Sequence, residues 1–350
     1  MGTSSHFSLR RRTMALGGLA AVIGAPIWAQ TRAPVKVRFQ CDWRFEAGTT
    51  PYVVALKKGY FAEEGLDVTL NVGAGASATV TRMASGNFDM GTGDLNSLAE
   101  FAGNNGVVPA KAVMLMYQNT PAAVFSLKKT GIAKPADLRG RTLAAPAGDG
   151  ARRIFPLFAA ANGLNPVTDV NWTAVDPAMR ETILSRGQVE VITGYLASGM
   201  LSLQRLGVAA SDVHVMKYAE YGVALPGNAV IASQNFLNEN PQAVAGFLRA
   251  LTRALKESVA DRAAAVAVLK SHEPLIDTRI EALRLDLILD QEIGTPAVRR
   301  DGVGDIDIPQ FQKGIDSLAK FLAFKSTPDA KSLVDTRFLP PQAQRMVFPA

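Results

Sequence analysis

The sequence predicts an α/β protein of two lobes, each built on a doubly wound sheet, with a ligand cleft between them. Strand-like and helix-like segments alternate along the first half of the chain, and the alternation restarts after a Lys-, Gly- and Pro-containing stretch at 128–138. From residue 240 onward the pattern is mostly helical. About 320 residues follow an N-terminal targeting segment, which is more than one core usually holds.

The first 30 residues have the features of an export signal. A basic segment at 10–12 precedes an uncharged apolar run from Met14 to Trp28, and Ile27-Trp28-Ala29 is an acceptable cleavage tripeptide. Both a Sec and a twin-arginine route remain open, and an uncleaved membrane anchor is the alternative to cleavage. The expected location is the periplasm, after cleavage near Ala29.

The first lobe is predicted to comprise 31–127 together with 231–350. Its strands and helices follow from apolar alternation and from helical spacing. Strands are predicted at 35–41, 67–72, 88–91, 110–118, 122–127 and 229–232, and helices at 51–64, 77–85 and 96–104. Further helices are predicted at 241–256, 266–270, 279–289 and 308–323, the first with an apolar face of Val244, Phe247, Leu248, Leu251 and Leu255.

The second lobe is predicted to comprise 128–230. Strands are expected at 142–145, 170–175, 189–193 and 213–217, and helices at 151–162, 179–186 and 198–206. The chain therefore crosses between the lobes twice, near 119–130 and 222–230, and these crossings are the predicted hinges.

Composition narrows the function classes. Three arginines leave with the signal, so the formal charge of +6 falls to about +3, and no basic cluster of the kind that nucleic-acid binding needs is present. The single cysteine, Cys41, excludes an internal disulfide framework and is expected to be buried.

Catalysis is not predicted. The histidines are His6, His214 and His272; the first leaves with the signal, and the others lie on separate elements away from the predicted cleft. They provide neither a His/Cys zinc site nor a Ser-His-Asp triad, and no Gly-x-Ser-x-Gly elbow occurs. We expect no catalytic residue, no metal site and no cofactor.

Ligand-binding residues are expected where predicted strands end and helices begin, because ligands of open α/β sheets bind there. Asp42 would accept from an amino group, Trp43 would stack on a planar solute, and Arg152 or Arg153 would clamp a carboxylate. Each also has an ordinary structural alternative, such as a helix cap, a half-buried ring or a solvated charge. The candidates are Asp42, Trp43, Gly75, Ala76, Ser77, Asp94, Asn96, Tyr117, Gly148, Asp149, Gly150, Arg152, Tyr195, Tyr221 and Asn228.

Several phrases resemble one protein family. They are Asp42-Trp43, KGYFAEEGLDV at 58–68, LRGRTL at 138–143, GQVEVIT at 187–193 and NPQAV at 240–244. In order and spacing they resemble the periplasmic solute-binding proteins of ABC importers, in the nitrate/sulfonate/taurine and thiamine-pyrimidine precursor (SsuA/THI5-like) branch. The resemblance implies a type II periplasmic-binding-protein fold, a small-molecule solute, an inner-membrane permease with its ATPase as partners, and a monomer.

The resulting hypothesis is capture of a small polar or heteroaromatic solute by closure of two lobes, followed by delivery to a permease. Asp149 stands where a hydroxyl residue is common in sulfonate and nitrate binders, which disfavours a sulfate-like ligand. The alternative is an exported enzyme, or the ligand-binding partner of a sensor, on the same scaffold. The related thiamine-pyrimidine synthase needs a donor histidine and a cysteine-rich iron motif, and neither is found here.

Overall fold

The computed structural model describes residues 33–349, so the predicted signal at 1–30 lies outside the described residues. Ten strands form two sheets of five. In chain order they are β1 Val35–Gln40, β2 Leu66–Asn71, β3 Met90–Asp94, β4 Ala110–Leu115, β5 Ala122–Leu127, β6 Arg141–Ala145, β7 Val170–Ala174, β8 Val191–Tyr195, β9 Val213–Lys217 and β10 Asn228–Ser233.

Helices cover both sheets and make up most of the chain after β10. They are α1 Thr50–Lys57, α2 Tyr60–Glu63, α3 Ala76–Ala84, α4 Leu95–Asn105, α5 Gly150–Ala161, α6 Arg180–Ser185, α7 Leu196–Arg205, α8 Gln234–Glu239, α9 Pro241–Ala260, α10 Arg262–His272, α11 Thr278–Leu287, α12 Pro296–Asp301, α13 Ile308–Leu322 and α14 Gln342–Arg345. A π-helical segment, Ile288–Ile293, continues α11. Short 3₁₀ turns lie at Ala47–Thr49, Lys128–Thr130, Pro135–Leu138, Ala210–Asp212, Tyr218–Tyr221, Ala330–Leu333 and Thr336–Phe338.

The two sheets repeat one topology. The first sheet has the order β2-β1-β3-β10-β4 and the second has β7-β6-β8-β5-β9. In each, the first three strands are parallel and the fourth is antiparallel to its neighbours. The antiparallel strand is the one that has just crossed from the other sheet, at 116–121 for β5 and at 218–227 for β10. This arrangement confirms the predicted α/β class.

The observed strand pairing places the crossings between the sheets at other residues than the sequence predicted. The strand at 122–127 was assigned to the first lobe, yet β5 pairs with β8 and β9 of the second sheet. Residues 228–230 were assigned to the second lobe, yet they open β10 of the first sheet. Local sequence shows that a strand exists but not which partner it takes, so the first crossing comes one strand earlier than expected and the second ends a few residues earlier. The division into domains remains a prediction.

The C-terminal helices return to the first sheet. Phe247 of α9 stacks on Phe39 of β1 at a centroid distance of 5.0 Å, and the five apolar residues predicted to share one face of α9 are all buried. On the outer face, Arg249 pairs with Glu64 at 2.6 Å. The predicted amphipathic helix is therefore confirmed.

The helix predicted at 51–64 is interrupted. Gly59 has a φ of +78°, a left-handed conformation that glycine adopts without steric cost, and it separates α1 from α2. The chain consequently turns before Tyr60, whose ring then packs into the core beside α9.

Candidate functional site

A cavity lies where loops from the carboxyl ends of both sheets meet. Its volume is about 50 Å³. The loop after β1 contributes the largest share of its wall, and the starts of α3, α5, α6 and α7 complete it with the π-helical segment. The lining residues are Asp42, Trp43, Arg44, Glu46, Gly48, Thr49, Gly75, Ala76, Tyr117, Asp149, Gly150, Arg180, Tyr195, Ala197, Ser198, Ile288 and Glu292.

Two glycine loops close one side of the cavity by direct backbone contact. The Ser77 amide donates to the carbonyl of Gly148 over 3.2 Å, which joins the start of α3 to the loop before α5. Gly75 has a φ of +124°, and a Cβ at that position would lie only 2.0 Å from the Gly148 oxygen. Glycine is required here both for its conformation and for the close approach of the two chains.

Arg180 is the central cation of one wall. Its side chain is only 1% exposed, and it contacts Glu181 at 2.5 Å and Asp149 at 3.1 Å. Its guanidinium also lies 4.7 Å from the centre of the Trp43 ring. Burial raises the pKa of Asp149, although the charge of Arg180 and the Arg152 amide partly offset that effect.

A second ionic group lies behind the loop that follows β1. Arg284 of α11 contacts Glu46 at 2.6 Å and Glu281 at 2.8 Å, and it donates to the Ser202 hydroxyl of α7. Burial would raise the pKa of Glu46, but the charges of Arg284 and Arg44 lower it overall. Glu46 also accepts a hydrogen bond from Ser198, so this carboxylate is ionised and fully engaged.

Two further carboxyl groups line the cavity without a cationic partner among residues 33–349. Asp42 accepts from the side-chain amide of Asn228 over 2.8 Å, and Glu292 accepts from the backbone amide of Ala197 over 3.2 Å. Burial is the main cause that raises the pKa of both groups to about 7, and the nearby charge of Glu46 adds to it. Each group is therefore close to half protonated at neutral pH.

These two groups make stability depend on pH. In the unfolded chain Asp and Glu titrate near pH 4, so the folded protein holds both protons more tightly. The stability this provides is complete below about pH 4 and is lost as the pH rises through about 7. We expect the Tm of the ligand-free protein to fall by several degrees between pH 5 and pH 8 in a calorimetric series. The D42N/E292Q variant should fall by less, and an equal fall would contradict this account.

The aromatic wall differs from the predicted one. Guanidinium groups of Arg180 and Arg44 lie 4.7 and 5.4 Å from the Trp43 ring centre, so that ring already has cationic neighbours. Its Nε1–H is buried and has no hydrogen-bond partner among the described residues. Tyr117 and Tyr195 meet edge to face with centroids 6.4 Å apart. Trp43 thus presents a hydrogen-bond donor, and the two tyrosines supply the other aromatic surface.

The structure brings eight of the fifteen predicted ligand residues into this cavity. They are Asp42, Trp43, Gly75, Ala76, Tyr117, Asp149, Gly150 and Tyr195. Ser77 and Gly148 line a neighbouring cavity of about 530 Å³ on the other side of the glycine contact. Asn228 lies one layer behind, where it donates to Asp42 and accepts from the Tyr195 hydroxyl.

Four predicted residues take structural roles instead. Asp94 caps α4 by accepting from the Ser97 amide at 2.7 Å. The Asn96 side chain donates to the Pro226 carbonyl in the second crossing. Arg152 donates to the Ala145 carbonyl, so it holds its own loop, and the Tyr221 ring packs 5.7 Å from Phe158. Each of these is the ordinary alternative that position in the sequence allowed.

Other lining residues were not predicted. Arg44 Nη2 lies 3.8 Å from carboxylate oxygens of both Glu46 and Glu181. Ser198 follows Tyr195 at a strand end, so the strand-to-helix rule was sufficient to find it. Glu292 had no such signal, because it comes from a helix that returns from the C-terminal section.

Among residues 33–349, His214, His272 and Cys41 lie outside the cavity lining. Cys41 is buried at the end of β1, and burial raises the pKa of its thiol. His272 packs edge-on against Phe45 at 4.6 Å.

Within residues 33–349, no group of three or more His, Cys, Asp or Glu side chains is arranged to hold a metal ion. No helix in that range has the length and apolarity that a bilayer crossing requires.

Solved structures share this architecture. The alkanesulfonate-binding protein SsuA of Xanthomonas axonopodis pv. citri, bound to MOPS, superposes with a TM-score of 0.69 and 14% identity over 87% of this chain and 99% of that chain. The periplasmic nitrate-binding protein NrtA of Synechocystis PCC 6803 gives a TM-score of 0.65 and 15% identity over 89% of this chain and 87% of that chain. With two sheets of this order, the chain has the type II periplasmic-binding-protein fold.

Sequence relatives identify the family. Residues 46–265 match the family described as NMT1/THI5 like, and the chain belongs to that family. The riboflavin-binding protein RibY of Chloroflexus aurantiacus is 30% identical over 221 residues, which are 60% of this chain and 59% of that protein, less than two thirds of its length. A 4-amino-5-hydroxymethyl-2-methylpyrimidine phosphate synthase of Aspergillus parasiticus is 28% identical over 256 residues, which are 70% of this chain and 73% of that protein.

Proposed function

We propose that this protein is the substrate-binding component of an ABC importer. The observation that carries the proposal is the cavity, which loops from both sheets enclose and which two backbone loops close by direct contact at Gly75 and Gly148. Pre-formed cavities with a few convergent polar groups are typical of small-molecule binding sites. The fold and the family include proteins named for the solutes they bind, and both support a binding function.

Capture would proceed by rotation of the two lobes about the crossings at 116–121 and 218–227. Hinge closure needs only a few residues at element ends to change their backbone angles. The hydrogen bonds that Ser77 makes with Gly148 and that Arg284 of α11 makes with Ser202 of α7 would form on closing, so both sides of the cavity would be complete only in the closed form. A periplasmic monomer would then present the closed lobes to an inner-membrane permease with its ATPase.

The solute is expected to be small and polar or heteroaromatic. A cavity of about 50 Å³ lies below the roughly 300–1,000 Å³ common for ligand pockets, and an engineered cavity of about 150 Å³ is known to take benzene. A ring would therefore require the lobes to part by a small further opening. Relatives are named for riboflavin and for an aminopyrimidine product, so both chemistries belong in the first screen.

A thermal-shift screen tests the proposal. The panel holds aminopyrimidines, riboflavin, nucleobases, taurine, nitrate and aromatic carboxylates, each followed by mass spectrometry of the recovered compound. A ligand that binds only the native state raises its stability by about 2.7 kcal/mol at 100 times Kd. A stabilising compound recovered unchanged supports a binding protein. A compound that is consumed favours the enzyme.

The enzyme alternative rests on the synthase relatives. The synthase of Aspergillus parasiticus is 28% identical over most of both chains. It therefore supports an enzymatic function as well as a relative that is a binding protein supports solute binding. Incubating the protein with candidate aminopyrimidine precursors and following product by mass spectrometry separates the two. Buried Cys41, and the placement of His214 and His272 outside the cavity lining, favour binding over chemistry. A sensor's ligand-binding partner would bind without turnover and would not support uptake.

Replacing Trp43 by phenylalanine tests the hydrogen-bond role of its indole. The substitution keeps an aromatic ring beside Arg180 and removes the buried Nε1–H donor. We expect a three- to tenfold weaker affinity for the solute that the screen identifies, from loss of roughly one hydrogen bond of about 0.5–1.5 kcal/mol. Titration calorimetry measures it. The W172F variant, which changes a tryptophan away from the cavity, is the control and should bind normally.

Export is open to a direct test. Signal removal near Ala29 predicts that the form isolated from the periplasm begins close to residue 30. N-terminal sequencing checks this prediction, and an intact N-terminus on a membrane-bound protein would favour the anchor.

A further inference from the structure

The charges around the cavity are compensated unevenly. Asp149 faces Arg180 at 3.1 Å and Glu46 faces Arg284 at 2.6 Å, so these acids have ion partners. Asp42 and Glu292 are instead contacted by neutral donors, an Asn228 amide and a backbone N–H. A buried carboxyl group without a cation either stays protonated or gains a cation from a ligand.

The two groups reach the cavity from different parts of the chain. Asp42 follows β1, whereas Glu292 lies in the π-helical segment Ile288–Ile293, and such segments often mark functional sites. Glu292 is 7% exposed, and within residues 33–349 its single hydrogen-bond donor is the Ala197 amide at the start of α7. Its second oxygen is thus free for another donor, and both acids border the same small volume.

An independent observation also points to a ligand. The Trp43 indole is 9% exposed, lines the cavity, and has no acceptor for its Nε1–H among the described residues. A solute that satisfied all three side chains would carry N–H donors toward Asp42 and Glu292 and an acceptor toward Trp43. A sulfonate or nitrate offers only acceptors, so it would leave both carboxyl groups facing an anion.

We propose that Asp42 and Glu292 are the specificity-determining pair of this cavity, and that its solute carries an amidine-like or amino-substituted nitrogen group that donates to both. The inference rests on the proposed binding function and deepens it by assigning the ligand class. The cavity would then bind solutes that carry positive charge and N–H donors, although the fold is shared with proteins named for alkanesulfonate and nitrate.

Binding of such a group displaces protons. A cation between the carboxyl groups favours their ionised forms, so protons half-held at pH 7 are released, up to about one per molecule. The charged groups that also face this region are Glu46, Arg44, Asp149, Arg180 and Arg284. Asp149 contacts Arg180 at 3.1 Å, Glu46 contacts Arg284 at 2.6 Å, and Arg44 lies 3.8 Å from Glu46, so each acid of this group keeps a cationic neighbour when the pair ionises.

Isosteric probes of opposite charge test the pair. Acetamidine and acetate have the same shape, as do benzamidine and benzoate, and the smaller probes match the small cavity. We expect both amidines at millimolar concentration to raise the Tm of the native protein at pH 8 and the two carboxylates to leave it unchanged. Apparent affinity for benzamidine should fall roughly three- to tenfold per pH unit below 7. Calorimetry in buffers of different ionisation enthalpy should record the released protons.

The D42N and E292Q variants complete the test. Each removes an uncompensated carboxyl group, so both should fold with an unchanged or higher Tm and lose the amidine response. E190Q, at a solvent-exposed carboxylate that precedes β8 and pairs with Arg141, should keep it. A response to carboxylates, an amidine response that survives both variants, or no amidine response overturns the pair. An anionic solute recovered unchanged from the screen would contradict the proposed role of Asp42 and Glu292 but would support the binding function. A solute that is consumed would contradict the binding function.

Discussion

Replacing Arg180 by methionine is expected to lower the free energy of unfolding by about 3–5 kcal/mol. Arg180 is 1% exposed and is the cation that faces both Asp149 and Glu181. Its removal leaves Asp149 without its cationic partner and Glu181 with only Arg44 at 3.8 Å, and that penalty is larger than the net value of the ion pairs themselves. Urea unfolding followed by far-ultraviolet circular dichroism measures the difference.

Two comparisons make the Arg180 result specific. R300M removes the arginine of an exposed pair with Asp301, and it should leave the unfolding midpoint unchanged because surface pairs contribute little. The triple variant R180M/D149N/E181Q removes the stranded charges as well and should recover part of the loss. A triple variant as unstable as R180M would show that packing around Gly194, which adjoins the guanidinium, is the larger effect.

The sequence was sufficient for the elements and for half of the site. Alternating apolar positions located the strands within a few residues, and the rule that ligands meet strand ends located Asp42, Trp43, Gly75 and Asp149. What it missed depends on distance along the chain. Strand β5 belongs to the second sheet because it pairs with β8. The residues of β5 alone do not indicate that partner.

The ion-pair partners of the acidic residues also could not be predicted from neighbouring residues in the sequence. Asp42, Asp149 and Glu46 look alike as sequence, but Arg180 and Arg284, far along the chain, neutralise only the last two. The difference decides which of these acids has an ion-pair partner within the protein. The partner of Arg152 could not be read from the sequence for a similar reason: its guanidinium donates to the Ala145 carbonyl of its own loop, and its role toward a carboxylate stays a prediction.

Replacing Gly148 by alanine is expected to weaken solute binding by roughly 5- to 150-fold without unfolding the protein. A Cβ at residue 148 would lie 2.8 Å from the Cβ of Ala78 in the first turn of α3 and 3.2 Å from the Ala74 carbonyl in the loop before it. That clash exists only when the loops touch, so the strain of about 1–3 kcal/mol falls on the closed form alone. Small-angle scattering should show a larger radius of gyration, and titration calorimetry should show the weaker affinity.

The A78G/G148A variant decides whether closure is the cause. It removes the Ala78 methyl group that the new Cβ would meet, and it should recover most of the affinity. A78G alone, which costs up to about 1 kcal/mol of helix stability, should bind like the native protein. Full affinity in G148A would mean that the contact between the Gly75 and Gly148 loops is not needed for capture. Weak binding in A78G/G148A would place the defect in the loop before α5 itself, because the steric conflict with Ala78 would no longer exist.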